Sequence, residues 1–213
     1  MVVRIYREVA KSGLIDELVV ATDDERVKEV VESYGGRVEM TPVDCPSGSD
    51  RVAVVVKDRD VDIVVNIQSD DPLLKVEMVD SAVKAILEDD GVDMVALAKR
   101  IERQEEFTSP NTVKVVFDER HFALYFSRAP IPYPRYEGQP AYKHIGPYVY
   151  RKAFLLKFLS WTPTPLERTE SLEQLRVLEK GYRIKIVETD VDTIEVDVPE
   201  DLKRVEAFLN ESG

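Results

Sequence analysis

Hydrophobic spacing along the chain shifts between a helical period and short apolar runs, and that shift sets out its elements. Val2, Val3, Ile5, Tyr6 and Val9 recur at helical spacing, and Gly13 follows as a stop signal. A short apolar strand is predicted at 17–21. Thr22-Asp23-Asp24 then caps a helix whose inward face is Val27, Val30, Val31 and Tyr34, ended by Gly35-Gly36. A second strand is predicted at 37–40. Ser49-Asp50 reads as the cap of a helix with Val52, Val55 and Val56 inward. The run Asp62-Ile63-Val64-Val65-Asn66-Ile67 reads as a buried strand, followed by a helix over 76–88 and a strand near 93–98. Strands alternating with helices predict an α/β fold with a parallel, doubly wound sheet.

From about residue 107 the grammar changes. Segments 113–117, 123–127 and 146–150 read as strands without intervening helices, separated by Pro130, Pro132, Pro134 and Pro140. This predicts an antiparallel insertion, 107–150, within one domain spanning 1–213. Helical patterns return at 152–159 and 166–179. A strand follows at 184–187, and a last helix runs from Pro199, a favoured first-turn residue, to about 209.

Composition narrows the function. A net charge of −12 excludes the nucleic-acid backbone as a natural partner, while leaving room for an anionic substrate bridged by a metal ion. Cys45 is the only cysteine, so no intrachain disulfide forms. With no histidine near it in sequence, it reads as a semi-buried thiol rather than a nucleophile. No apolar run approaches membrane-spanning length and no cleaved signal is seen, so a soluble, cytoplasmic protein is expected.

The candidate chemistry begins at Gln68-Ser69-Asp70-Asp71-Pro72, just past the carboxyl end of the apolar strand, where α/β sheets bind ligands. Mg²⁺ takes hard oxygen ligands, commonly one or two carboxylates with substrate phosphates. The same pentapeptide is also ordinary turn chemistry, and taken alone it supports both readings.

Other segments follow in a fixed order. They are Ser47-Gly48-Ser49-Asp50-Arg51, then Ala123-Leu124-Tyr125-Phe126-Ser127-Arg128-Ala129-Pro130-Ile131-Pro132, then His144-Ile145-Gly146-Pro147-Tyr148. Glu170-Ser171-Leu172-Glu173-Gln174-Leu175-Arg176 comes next, and Val196-Asp197-Val198-Pro199-Glu200-Asp201-Leu202 closes the series. In this order the chain resembles the 3-deoxy-manno-octulosonate (Kdo) cytidylyltransferases, the CMP-Kdo synthetases of lipopolysaccharide synthesis.

The resemblance implies a Rossmann-like, mostly parallel sheet flanked by helices, of the nucleotide-diphospho-sugar transferase type. It further implies an antiparallel dimerisation arm at 107–150 and a homodimer. The implied reaction joins CTP and Kdo, with Mg²⁺, to give CMP-Kdo and pyrophosphate. By matching position, Asp70 and Asp197 are the implied catalytic metal ligands. Ser49, Arg51 and Gln68 fall on the nucleotide side. Gln68, Arg128, His144, Tyr148, Glu173 and Gln174 are the implied sugar contacts, with the Arg128 fork suited to the Kdo carboxylate.

Each residue also has a structural reading. His144 beside an apolar strand could be a satisfied core histidine. Arg51 could pair with Asp50, Glu173 with Arg176 on a helix surface, and Asp197 could simply cap a helix.

The family pattern begins with a strand and an arginine- and lysine-bearing phosphate loop that have no counterpart here, since Met1-Val2-Val3-Arg4 corresponds to the helix after them. An N-terminally incomplete domain with impaired CTP binding is therefore the expectation. Ser69, Asp71, Pro147 and Val198 also depart from the family pattern. The competing function classes are a non-catalytic relative that binds a sugar acid or serves assembly, and a metal-dependent glycosyltransferase.

Overall fold

The computed structural model describes residues 1–136, 138–196 and 198–211. The chain runs α1 (Val2–Val9), β1 (Val20–Thr22), α2 (Glu25–Ser33), β2 (Val38–Met40), α3 (Gly48–Val56), β3 (Ile63–Asn66), α4 (Val76–Leu87) and β4 (Met94–Arg100). It continues through α5 (Gln104–Thr108), β5 (Lys114–Phe117), β6 (Ala123–Ser127), β7 (Tyr142–Arg151), α6 (Lys152–Leu159), α7 (Pro165–Glu170), α8 (Gln174–Glu179), β8 (Lys185–Glu188) and α9 (Pro199–Glu211). These elements form two compact units. Unit 1 is Met1–Asp60, Ile67–Asp80 and Val191–Gly213; unit 2 is Val61–Asn66 and Ser81–Asp190.

In unit 1, β1 and β2 pair in parallel, with α2 packed on both and α3 on β1. The Asp24 carboxylate caps α2 by accepting from the Arg26 backbone N–H at 2.8 Å. The predicted Ser49-Asp50 cap of α3 is corrected to Ser47. The Ser47 Oγ accepts from the Asp50 N–H at 3.1 Å and donates to the Asp50 carboxylate at 2.7 Å. A cap two residues earlier places Ser49, 1% exposed, inside the first turn.

Helix α1 buries Ile5 and Val9 and carries a polar edge at every fourth position. The Arg4 Nε donates to the Pro72 carbonyl at 2.7 Å and the Glu8 carboxylate accepts from the Val76 N–H at 3.3 Å. Just past α1, the Ser12 hydroxyl donates to Asp80 at 2.5 Å. The sequence separation is 68 at each rung, so the two segments run side by side in one direction.

Unit 2 is built on a six-stranded sheet ordered β6-β5-β7-β4-β8, with β3 also pairing with β7. Parallel pairing holds at β4–β8, whereas β7 makes antiparallel ladders with β3, β4 and β5. The expected α/β sheet with flanking helices is present, and the sheet is mixed because β7 runs back between β3 and β4. Strand β4 is buried on both faces: Met94, Val95, Ala96, Leu97 and Ala98 are each 0% exposed. The β4–β7 register shifts between Val95 and Leu97, opposite Gly146-Pro147-Tyr148. Pro147 lacks a ladder donor, and a bulge is where a strand accommodates one.

The single helix predicted over 166–179 is two. α7 opens with the Glu167 carboxylate accepting from the Thr164 N–H at 3.0 Å and closes at Ser171, whose φ of 53° is left-handed. Serine carries no glycine-like stop signal, so periodicity runs straight through it. The turn is held by a buried ion pair in which the Arg176 guanidinium, on α8, grips Glu167, on α7, through Nε at 2.8 Å and Nη2 at 2.5 Å. The short α5 carries no periodic pattern and is not predicted.

Candidate active site

In unit 1 the 68–72 loop presents its residues unequally. Gln68 lies exposed with its amide against α3. A Cβ on Gly48 would sit 2.7 Å from the Gln68 Oε1, so a side chain there would displace the Gln68 amide from this position. Asp70 is half-buried, and its carbonyl accepts from the Val196 N–H at 2.8 Å. Asp71 turns inward, 7% exposed, and accepts from the Leu73 N–H at 3.2 Å and from the Thr193 side chain. Burial pushes the Asp71 carboxyl up to about 6. The Asp70 charge adds to that rise, and the Leu73 N–H opposes it.

Asp71 is therefore the brace of the loop, tying it to the 191–196 segment, while Asp70 is the more exposed of the two carboxylates. Asp197 lies outside the described residues. Among the described residues, no group of three or more His, Cys, Asp or Glu side chains converges on a metal position. The hard-oxygen chemistry of Asp70 still suits Mg²⁺, which commonly binds one or two carboxylates and takes its other ligands from phosphates and water.

Arg51 on α3 does not pair with Asp50. Its guanidinium donates to Thr41 Oγ1 at 2.5 Å and pairs with Asp23 at 3.2 Å. Ser49 and Arg51 thus lie with Gln68 and Asp70 in unit 1.

Unit 2 holds the other candidates. Arg128, at the end of β6, is fixed by main-chain carbonyls. Its Nε donates to the Glu170 carbonyl at 2.8 Å, Nη1 to Pro110 at 3.0 Å and Nη2 to Ser171 at 3.5 Å. The Glu170 carboxylate accepts from the Arg128 N–H at 2.9 Å and from the Ser127 hydroxyl at 2.7 Å, pinning the backbone rather than the guanidinium.

His144 and Tyr148, on β7, meet edge to face with ring centroids 4.8 Å apart, and Phe126 flanks His144 at 5.6 Å. The His144 Nε2 is enclosed without a hydrogen-bond partner among the described residues. Burial lowers this imidazole to about 4, so it is neutral near pH 7. Gln174, 3% exposed, begins α8, which packs on β6. Glu173 is half-buried, and the suggested Glu173–Arg176 surface pair is replaced by the buried Glu167–Arg176 pair.

Residues 1–186 match the cytidylyltransferase family. The 3-deoxy-manno-octulosonate cytidylyltransferase of Syntrophotalea carbinolica is 48% identical over 219 residues, spanning 98% of this chain and 88% of the relative. That of Geobacter metallireducens is 48% identical over 217 residues, spanning 96% and 85%. The chain belongs to the 3-deoxy-manno-octulosonate cytidylyltransferase family.

Among solved structures, a CMP:2-keto-3-deoxy-manno-octonic acid synthetase complexed with CTP superposes with a TM-score of 0.93. It is 36% identical and the match spans 99% of this chain and 87% of that one. The family read from motif order is thus borne out, and the chain is a nucleotidyltransferase.

Sequence reasoning missed two residues that hold Arg128. Glu170 stood in a quoted motif without a role, and Lys114 was passed over inside a predicted strand. Its signal was a lysine next to Val113, Val115 and Val116 in a strand expected to be buried.

Proposed function

We infer that the chain transfers CMP from CTP to the anomeric hydroxyl of Kdo, releasing pyrophosphate and forming CMP-Kdo for lipopolysaccharide synthesis. The observation that carries this is the match, over 99% of this chain, to a CTP-bound synthetase at 36% identity, with relatives of the same activity at 48%. In the reaction the hydroxyl oxygen bonds to the α-phosphorus, the bond from that phosphorus to the bridging oxygen breaks, and the hydroxyl proton is released. No covalent enzyme intermediate is required, so positioning and electrostatics dominate.

Asp70 and Asp197 are the residues to hold Mg²⁺, which when bound neutralises charge on the phosphate oxygens. The chain's own groups orient the reactants. The Gln68 amide, braced against Gly48, offers a donor and an acceptor to hydroxyls. Ser49 and Arg51 serve the nucleotide side. The Arg128 guanidinium retains one N–H on each terminal nitrogen beyond those given to carbonyls, and these receive the Kdo carboxylate. The neutral His144, with its free Nε2, accepts or donates one hydrogen bond to a sugar hydroxyl, beside Tyr148, Glu173 and Gln174. The 107–150 segment serves as the arm of a cytoplasmic homodimer.

The test is pyrophosphate release by the purified chain given CTP, Mg²⁺ and Kdo, with the product identified by mass spectrometry. A CMP-Kdo peak is expected. Binding of Kdo with no turnover would favour the non-catalytic reading, and turnover only with another sugar acid would overturn the assigned substrate.

A further inference from the structure

Lys114 is fully buried in β5, 0% exposed. Its ammonium has three N–H groups, and each donates to a main-chain carbonyl: Ser109 at 2.7 Å, Thr112 at 2.5 Å and Arg128 at 2.6 Å. An ammonium held only by dipoles inside a protein is expensive to keep charged. Burial accordingly lowers its pKa, the nearby Arg128 charge lowers it further, and Glu170 opposes both.

What the arrangement secures is visible in the identity of the acceptors. Ser109 and Thr112 bracket Pro110, whose carbonyl takes the Arg128 Nη1. The third acceptor is the carbonyl of Arg128 itself. Lys114 therefore fixes both the residue bearing the guanidinium and one of the carbonyls that orient it. The Glu170–Ser171 carbonyls close the other side.

Charge points the same way. Among the described residues, no carboxylate forms an ion pair with Lys114 or with the Arg128 guanidinium. The nearest acid, Glu170, spends its oxygens on the Arg128 N–H and the Ser127 hydroxyl. The neighbouring β7 lysine, Lys143, lies opposite Lys114 in register, but it is paired with Glu106 at 2.6 Å. Two cations are thus solvated by carbonyls alone, one buried and one half-buried. Glu170 offsets part of this charge from the backbone side, and the exposed end of the guanidinium has no ion-paired carboxylate among the described residues.

We propose that Lys114 is the positioning residue of the sugar-acid site: it presets the Arg128 fork for a substrate carboxylate and adds its own positive potential to it. This rests on Arg128 receiving the Kdo carboxylate, as inferred above. Lys114 touches no substrate.

The experiment compares Lys114→Met, Lys114→Gln, Lys114→Arg and Arg128→Lys with the unsubstituted full chain, measuring KM for Kdo and for CTP by pyrophosphate release. Lys114→Met is expected to raise the KM for Kdo about tenfold or more while leaving that for CTP within about twofold, the scale of a displaced orienting group. Lys114→Arg, which keeps the charge, is expected to restore most of the loss. Should Lys114→Met not fold, Lys114→Gln retains two donors without the charge and carries the same expectation.

A folded Lys114 variant with unchanged KM for Kdo, or with both KM values raised together, overturns the inference. Arg128→Lys separates the two levels. If it raises the KM for Kdo and the Lys114 variants do not, only the positioning role fails. If Arg128→Lys itself leaves that KM unchanged, the carboxylate site fails with it.

Discussion

The two units handle buried charge in opposite signs. Unit 1 sets two carboxylates side by side at Asp70 and Asp71 and turns one of them inward, where burial keeps it protonated to about pH 6. Unit 2 sets two cations side by side at Lys114 and Arg128 and satisfies them with carbonyl oxygens, without a carboxylate partner among the described residues. The lesson is shared. On the proposed reading, each unit offers its charge to a ligand of opposite sign, a divalent cation at Asp70 and a substrate carboxylate at Arg128. The Glu167–Arg176 pair shows the alternative, with buried charge matched inside the protein and so free of any ligand.

That contrast can be broken at graded cost. Asp70→Asn should have the largest effect, lowering kcat/KM by about a thousandfold, the scale of losing one preorganised electrostatic group, with little change in melting temperature. A loss under about tenfold would remove Asp70 from the metal role. Next is the internally matched pair. Arg176→Met leaves Glu167 buried and alone and should cost about 3–5 kcal/mol in urea unfolding, and adding Glu167→Leu should recover most of it. If the double variant is as unstable as the single one, the pair is not what holds α7 to α8.

A smaller effect belongs to His144, the group unit 2 keeps uncharged. Its pKa is about 4 when folded against an ordinary 6.5, so the unfolded chain takes up a proton first as pH falls. The stability it contributes is complete above pH 6.5 and is lost as pH falls through about 4. The loss reaches about 2 kcal/mol by roughly pH 4.5, and His144→Phe should flatten that part of the profile. Smallest is Asp71→Asn. The amide oxygen still accepts from Leu73, so activity should stay within about threefold, whereas loss comparable to Asp70→Asn would make Asp71 a ligand rather than a brace.

Sequence made one member of each pair legible. Asp70 follows a recognisable apolar strand, and Arg128 sits in a motif whose order identifies the family. The support of Arg128 was hidden because Lys114 works through main-chain carbonyls, which carry no side-chain signature. Nothing local tells that Ser109, Thr112 and Arg128 point their carbonyls at one ammonium. The inward turn of Asp71 likewise depends on Thr193, far along the chain. Strands and long helices were readable from their period. The break at Ser171 and the five-residue α5 were not, since one lacks a glycine and the other is too short to show a repeat. The strand predicted at 146–150 understates β7, which starts at Tyr142, and the sheet absorbs Pro147 in a bulge.

The hydrogen bond from Val196 to the Asp70 carbonyl bears on how the chain is made. Unit 2 is almost continuous in sequence, whereas unit 1 is assembled from three segments, the last beginning at Val191. During synthesis, residues 81–190 are all available before Thr193 and Val196 emerge. Contacts between distant segments also form late, because the chain between them must first be closed into a loop. The expected order is therefore a settled unit 2 beside an unfinished unit 1, and the carboxylate loop acquires its brace last. A nascent chain stopped near residue 190 would hold Lys114 and Arg128 in place and leave the Asp70–Asp71 loop without its ties to Thr193 and Val196.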